Sequence, residues 1–235
     1  MNESLRSFDG LARPGTQERV SAFLRSVYGW MAVGLGITAL MAFLVSSSPA
    51  LINLFLGNRL VFFALVVGQL GLVFYLSARV AQLAPGTASG LFLLYSALTG
   101  ITLSGIFLAY TGESISTTFV VTAAMFGSLA LFGTMTSRSL AGVGQFMMMG
   151  LIGLILASIV GIFWHNDALQ FLISVVGVIV FTGLTAWDAQ RLKQMGAALP
   201  EGQVGSYAVV GALSLYLNFI NLFLMLLRFT GSRRQ

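Results

Sequence analysis

The chain has no cysteine, a single histidine and a single lysine. Without cysteine there are no disulfides, no thiolate metal sites and no thiol nucleophile. A zinc hydrolase needs three or more converging ligands, which His165 and seven scattered acids do not supply. A retinal-type Schiff base needs a lysine inside an apolar span, and Lys193 lies in a polar connection. A serine hydrolase needs a base beside its nucleophile, and His165 has no serine facing it from within a span. A glycine-rich phosphate loop is also missing, so no catalytic residue, cofactor or metal site is expected. The scarcest class is charge. Only 8% of the 235 residues are charged and 57% are hydrophobic, against about 25% charged in an ordinary soluble domain. A soluble fold of this length needs a polar shell; lipid removes that need.

The net charge of +5 does not point to nucleic acid, because the basic residues form no patch or stripe. They sit singly between apolar runs or at the two ends, as loop charges that orient a membrane protein do. Residues 1–21 are polar and mixed in charge, with no short apolar core ending in a small-residue cleavage site, so no cleavable signal is expected. They read as a cytoplasmic N-terminal segment ahead of a transmembrane domain over 22–235.

A spanning helix needs about 20 mostly apolar residues. Seven stretches qualify: Phe23–Val45, Leu60–Leu76, Thr87–Tyr110, Ser116–Thr136, Phe146–Phe163, Leu169–Trp187 and Tyr207–Leu227. The expected class is therefore an all-α polytopic membrane protein. Connections are short and carry turn formers, the longest being Ala189–Ser206, and Ala50–Leu56 is a short apolar piece suited to the membrane interface. With the N-terminus inside, Arg6, Arg13, Arg19, Arg25, Arg79, Arg138, Arg191 and Lys193 are cytoplasmic, and Arg59, Arg228, Arg233 and Arg234 are not. Eight against four favours that orientation. The basic C-terminus disagrees, and a re-entrant seventh segment would return it to the cytoplasm. A full crossing is the leading expectation.

Small residues recur every four positions, at Ser96, Gly100 and Ser104 in the third span and at Gly153, Ala157 and Gly161 in the fifth. Such faces let helix backbones approach in lipid, and bundle packing is their expected use.

Polar groups inside a span are costly, which makes them the place to look for function. In the seventh span Gly211, Ser214, Asn218, Asn221 and Met225 alternate steps of three and four and share one helix face. A small, uncharged polar stripe should face protein, which makes the last helix the central one. Asn218 and Asn221 then either glue helices together or line a pathway. The sixth span ends in Thr185-Ala186-Trp187-Asp188, with Thr185, Gly177 and Ser174 near the Asp188 face. Asp188 is either a solvated interfacial acid or a partly buried carboxylate whose charged form burial opposes, which would make it a proton-sensitive switch. Two secondary candidates remain. Glu113, in the turn Tyr110–Ser114, is a helix-start acid or a cation attractor at a pore mouth. Arg79 snorkels to the inner interface or pairs with Asp188. His165 reads as a solvated interfacial side chain.

The runs Thr185–Lys193 (TAWDAQRLK) and Ala212–Arg228 (ALSLYLNFINLFLMLLR), with Leu108–Ile115 (LAYTGESI) and Met149–Gly153 (MGLIG), resemble those of bacterial members of the Bax inhibitor family. The similarity extends over nearly all of the chain beyond about residue 20. The resemblance implies six helices around a central seventh, and a pH-sensitive calcium leak. It also implies a link to the membrane-anchored FtsH protease in bacterial members, and suppression of cell death in eukaryotic ones. Together with the compact, cysteine-free chain it points to a bacterial inner membrane. The implied pH sensor is an aspartate pair on the last two spans, of which Asp188 matches the first. Where the family's motif usually has Asp, this chain has Asn218, and Trp187 replaces a usual tyrosine. Paired carboxylates titrate as a coupled pair, whereas an aspartate facing an amide titrates alone, so a shallower pH response is expected. Hard cations want several oxygen ligands, so Ca²⁺ is expected as a transported ion, not a tightly bound cofactor. The competing expectation is an interaction protein that modulates FtsH without transporting anything.

Overall fold

The computed structural model describes residues 14–164, 166–200 and 204–234. Nine α-helices account for nearly all of them: α1 (Pro14–Ser46), α2 (Pro49–Ile52), α3 (Arg59–Arg79), α4 (Pro85–Leu103), α5 (Gly105–Ala109), α6 (Gly112–Met135), α7 (Ala141–Phe163), α8 (Asp167–Ala198) and α9 (Val204–Thr230). Seven stretches are long and apolar enough to cross a membrane. Among the described residues there is no strand, only one isolated bridge between Tyr110 and Arg233. The protein is an all-α, polytopic membrane protein.

Large side chains lie bare along the helices, including Leu60, Phe63 and Phe74 on α3 and Phe146, Met149 and Phe163 on α7. A water-soluble monomer does not leave apolar area of this extent uncovered; a bilayer covers it. The two ends of the scale are α3, with 6% of its apolar window buried, and α9, with 61%.

Compact contacts divide the chain into two units, one running up to Ser104 and taking in Arg191–Leu213, the other made of Gly105–Gln190 and Ser214–Gln235. In the first unit, α1 and α4 meet through small and hydroxylated residues. Thr38 Oγ1 donates to the Ser96 carbonyl at 2.9 Å, and a side chain on Gly100 would collide with the backbone of Thr38. Ser96 and Gly100 of the expected face make this contact, and Ser104 is buried as well.

The fifth-span stripe is drawn differently. Gly161 packs on Gln170 and Ile173, but a side chain on Gly153 would meet nothing within 4 Å. A strict four-residue repeat drifts by about 40° per step around a helix of 3.6 residues per turn, so Gly153 has rotated away from protein. The buried line of α7 runs through Leu154, which joins Ile173, Val180, Phe181, Leu184, Leu222 and Met225 in the core of the second unit.

Two span boundaries also differ from the hydropathy reading. The third span is not one rod, because it breaks at Ser104. There Ser104 Oγ and N both turn back to the Ile101 carbonyl, at 2.7 and 3.3 Å, tightening the last turn of α4. The sixth helix does not stop at Trp187. It continues to Ala198, so Ala189–Ala198, expected as connection, is helix and Asp188 lies well inside it. Apolar content marks where a helix leaves lipid; backbone hydrogen bonding carries on past that point. The extension is amphipathic, with Ala189 and Leu192 buried and Gly196 seated on Phe23. Likewise α1 begins at Pro14, ahead of the apolar run.

Candidate functional site

Two side chains of α9 converge on one carboxylate of α8. Asp188 is 7% exposed. Its Oδ2 accepts a hydrogen bond from Ser214 Oγ at 2.7 Å and another from Asn218 Nδ2 at 2.8 Å. The two donors are four residues apart on α9, so they stand one above the other on a single face. A carboxylate oxygen has the lone pairs to accept both. The surroundings are apolar and close-packed. Beside Asn218, the ring of Phe219 meets Phe119 and Phe126 of α6 edge-on, with centroids 5.4 and 5.5 Å apart. About two turns further along α9, Met225 fills the gap left by Gly177.

Of the five residues expected around this site, the structure brings together Asp188, Ser214 and Asn218. The other two are satisfied within their own helices. Thr185 Oγ1 donates to the Phe181 carbonyl at 2.7 Å, and Asn221 Nδ2 to the Leu217 carbonyl at 2.8 Å. Arg79, in the first unit, is exposed and gives Nη1 to Gln82 Oε1 at 2.7 Å.

Glu113 belongs to the first turn of α6, behind the N-cap Thr111, whose Oγ1 accepts from Ser114 N at 3.3 Å. An acid there suits the positive end of the helix dipole. It also lines an open cleft of about 440 Å³ with Thr111, Ser114, Thr117, Thr118, Thr230 and Ser232. The C-terminal residues wall this cleft: the Ser232 carbonyl accepts from Thr111 N at 3.1 Å, Arg234 N donates to the Ala109 carbonyl at 3.0 Å, and Ser232 N donates to Ser114 Oγ at 2.9 Å. His165 lies outside the described residues, as do Arg6 and Arg13 of the N-terminal segment. Among the described residues no three of His, Cys, Asp and Glu come together to hold a metal.

Another buried polar residue of the second unit pairs through both ends of its side-chain amide. Gln190, 7% exposed, accepts from Leu140 N at 2.8 Å and donates to the Arg138 carbonyl at 2.9 Å. In the polar run AQRLKQ nothing distinguishes Gln190 from its neighbours; a buried-face assignment of the helical extension would have.

A buried carboxylate held by two side-chain donors on a neighbouring helix, where an apolar helix runs on past its apolar stretch, marks a polytopic membrane protein with a buried ionisable group. The sequence profile described as "Inhibitor of apoptosis-promoting Bax1" matches residues 20–235, and the chain belongs to this Bax inhibitor family. It is 47% identical to the "Inner membrane protein YbhL" of Escherichia coli over 229 residues, 96% of this chain and 97% of that one. It is 44% identical to an uncharacterized protein of Borreliella burgdorferi, covering 91% and 93% of the two chains. An uncharacterized protein of Caulobacter vibrioides is 45% identical, with coverage of 91% and 89%.

Proposed function

We propose that this protein is a pH-sensitive calcium leak of the bacterial inner membrane, without enzymatic activity, in which Asp188 and Asn218 form a proton-sensitive latch between α8 and α9. One observation carries the reading: Asp188 Oδ2 is held by Ser214 and Asn218 in a buried setting. With Asp188 ionised, both hydrogen bonds are charge-assisted. With Asp188 protonated they become neutral, roughly halved in strength, and the two helices are held less firmly. Asn218 and Ser214 donate to the latch, while Asn221 on α9 and Thr185 on α8 line the path beside it. Glu113, at the hydroxyl-lined cleft, draws cations to the outer mouth. With one carboxylate and no converging metal ligands among the described residues, calcium passes without a tight site. The name of the Escherichia coli relative supports the inner-membrane location, and the eight-to-four distribution of basic residues supports a cytoplasmic N-terminus.

Calcium flux into proteoliposomes, measured across pH, tests the reading. Wild type is expected to show a pH-dependent flux, and Asp188→Asn a flux that does not vary with pH. If the purified protein passes no calcium at any pH, the leak is lost and modulation of the FtsH protease without transport becomes the standing expectation.

A further inference from the structure

The segment of α8 around Asp188 is gripped on the side away from α9. Residues 186, 187 and 190 all make close contacts with the hairpin formed by α6, α7 and the turn between them. Gly133 of α6 lets its helix come against the backbone of Ala186, where an added Cβ would strike the Ala186 carbonyl. Gly144, in the first turn of α7, leaves a seat for the indole of Trp187, which an added Cβ would overlap. Gln190 closes the set with its two-bond clamp on the turn, to Leu140 N and the Arg138 carbonyl. Two residues along a helix is a rotation of about 200°, so Gln190 faces the hairpin while Asp188 faces Ser214 and Asn218.

We infer that Gln190 is a positioning residue. By locking α8 to the turn between α6 and α7, it sets the rotation and height of the helix at Asp188 and keeps the carboxylate within reach of its two donors on α9. The chemistry supports a fixed role. A primary amide that uses its oxygen and its nitrogen on two backbone groups of one turn tolerates little sliding, because each bond is lost within a few tenths of an ångström. Both partners are backbone groups, so the clamp does not depend on the side chains in the turn. Glycine contacts at 133 and 144 remove the slack that larger residues would introduce. The link to transport rests on the leak reading; the positioning itself does not.

The test is a double-mutant cycle on the full-length protein in detergent micelles, read as thermal unfolding. If Gln190 acts through the Asp188 latch, the Tm loss from Gln190→Ala falls by about half or more once Asn218→Ala has already opened the latch. The same loss is expected to persist in a Thr230→Ala background, which alters the far end of α9. Equal losses in both backgrounds would overturn the inference. Should Gln190→Ala not fold, Gln190→Glu serves in its place. It keeps an acceptor for Leu140 N but sets a carboxylate oxygen against the Arg138 carbonyl, and its loss is expected to show the same dependence on Asn218. Calcium flux through the same wild-type preparation separates the two claims. Coupled losses without flux sink the leak alone, and uncoupled losses with flux intact sink the positioning role alone.

Discussion

At the scale of residues, the site is built on the Asp188 carboxylate and the two α9 side chains that donate to it. Hydrogen bonds to charged groups contribute about 1.5–3 kcal/mol in soluble proteins. Pairs measured inside membrane bundles average nearer 0.6 kcal/mol, because the reference state finds partners too. Ser214→Ala and Asn218→Ala are therefore each expected to destabilise the protein by about 1 kcal/mol, measured as unfolding in detergent. Thr185→Val, which removes a hydroxyl bonded only within its own turn, is expected to cost less than either. Asn218→Asp places a second carboxylate against the first. The two then share a proton and titrate together, so a flux-against-pH curve is expected to become steeper than that of wild type. Identical steepness in the two proteins would remove Asp188 and its neighbour as the sensor.

At the scale of elements, glycines sort into those that carry a contact and those that do not. Gly133 and Gly100 touch the backbone of a neighbouring helix, so a methyl group there forces two helices apart. Gly133→Ala and Gly100→Ala are expected to destabilise by about 1–3 kcal/mol, the usual cost of overpacking. Gly153 has open space around it. Gly153→Ala is expected to be neutral or to stabilise slightly, since alanine is the better helix former. A thermal-shift comparison of the three variants is the check, and a Gly153→Ala loss as large as that of Gly133→Ala would contradict the assignment of faces. The same reasoning explains why the four-residue repeat was a sound guide in the third span and a partial one in the fifth. Spacing names a set of residues, but the helix period decides how many of them reach a neighbour.

For the whole molecule, the question is which ends of the spans lie on the same side. Helix α9 is 27 residues long, roughly 40 Å, against a hydrocarbon core of about 30 Å, and it is unbroken. A full crossing brings its C-terminus to the side where the third span meets the fourth and the fifth meets the sixth. The contacts agree: Arg234 pairs with Ala109, and Arg228 Nη1 lies 3.5 Å from Gln170 Oε1. The cysteine-free sequence allows a direct test. Single cysteines at Arg59 and Arg233 are expected to react with a membrane-impermeant maleimide added outside whole cells, and one at Arg138 only after the membrane is opened. Labelling of Arg233→Cys only in opened cells would restore the re-entrant topology.

Composition alone determined that this chain lives in lipid, and the spacing of its apolar runs determined seven stretches able to cross it. Both follow because the bilayer demands about 20 apolar residues per span whatever the rest of the chain does. The motifs also named Asp188 and Asn218. Tertiary structure decided the rest. It showed that α8 runs on past Asp188 and that Ser214 joins Asn218 on the same carboxylate oxygen. It also showed that Thr185 and Asn221 turn to their own backbones, and that Gln190 is buried against a turn fifty residues away in sequence. Each of these depends on which side of a helix meets a neighbour and on which of several acceptors a polar group finds nearest. A sequence read one helix at a time carries the periodicity but not the partner.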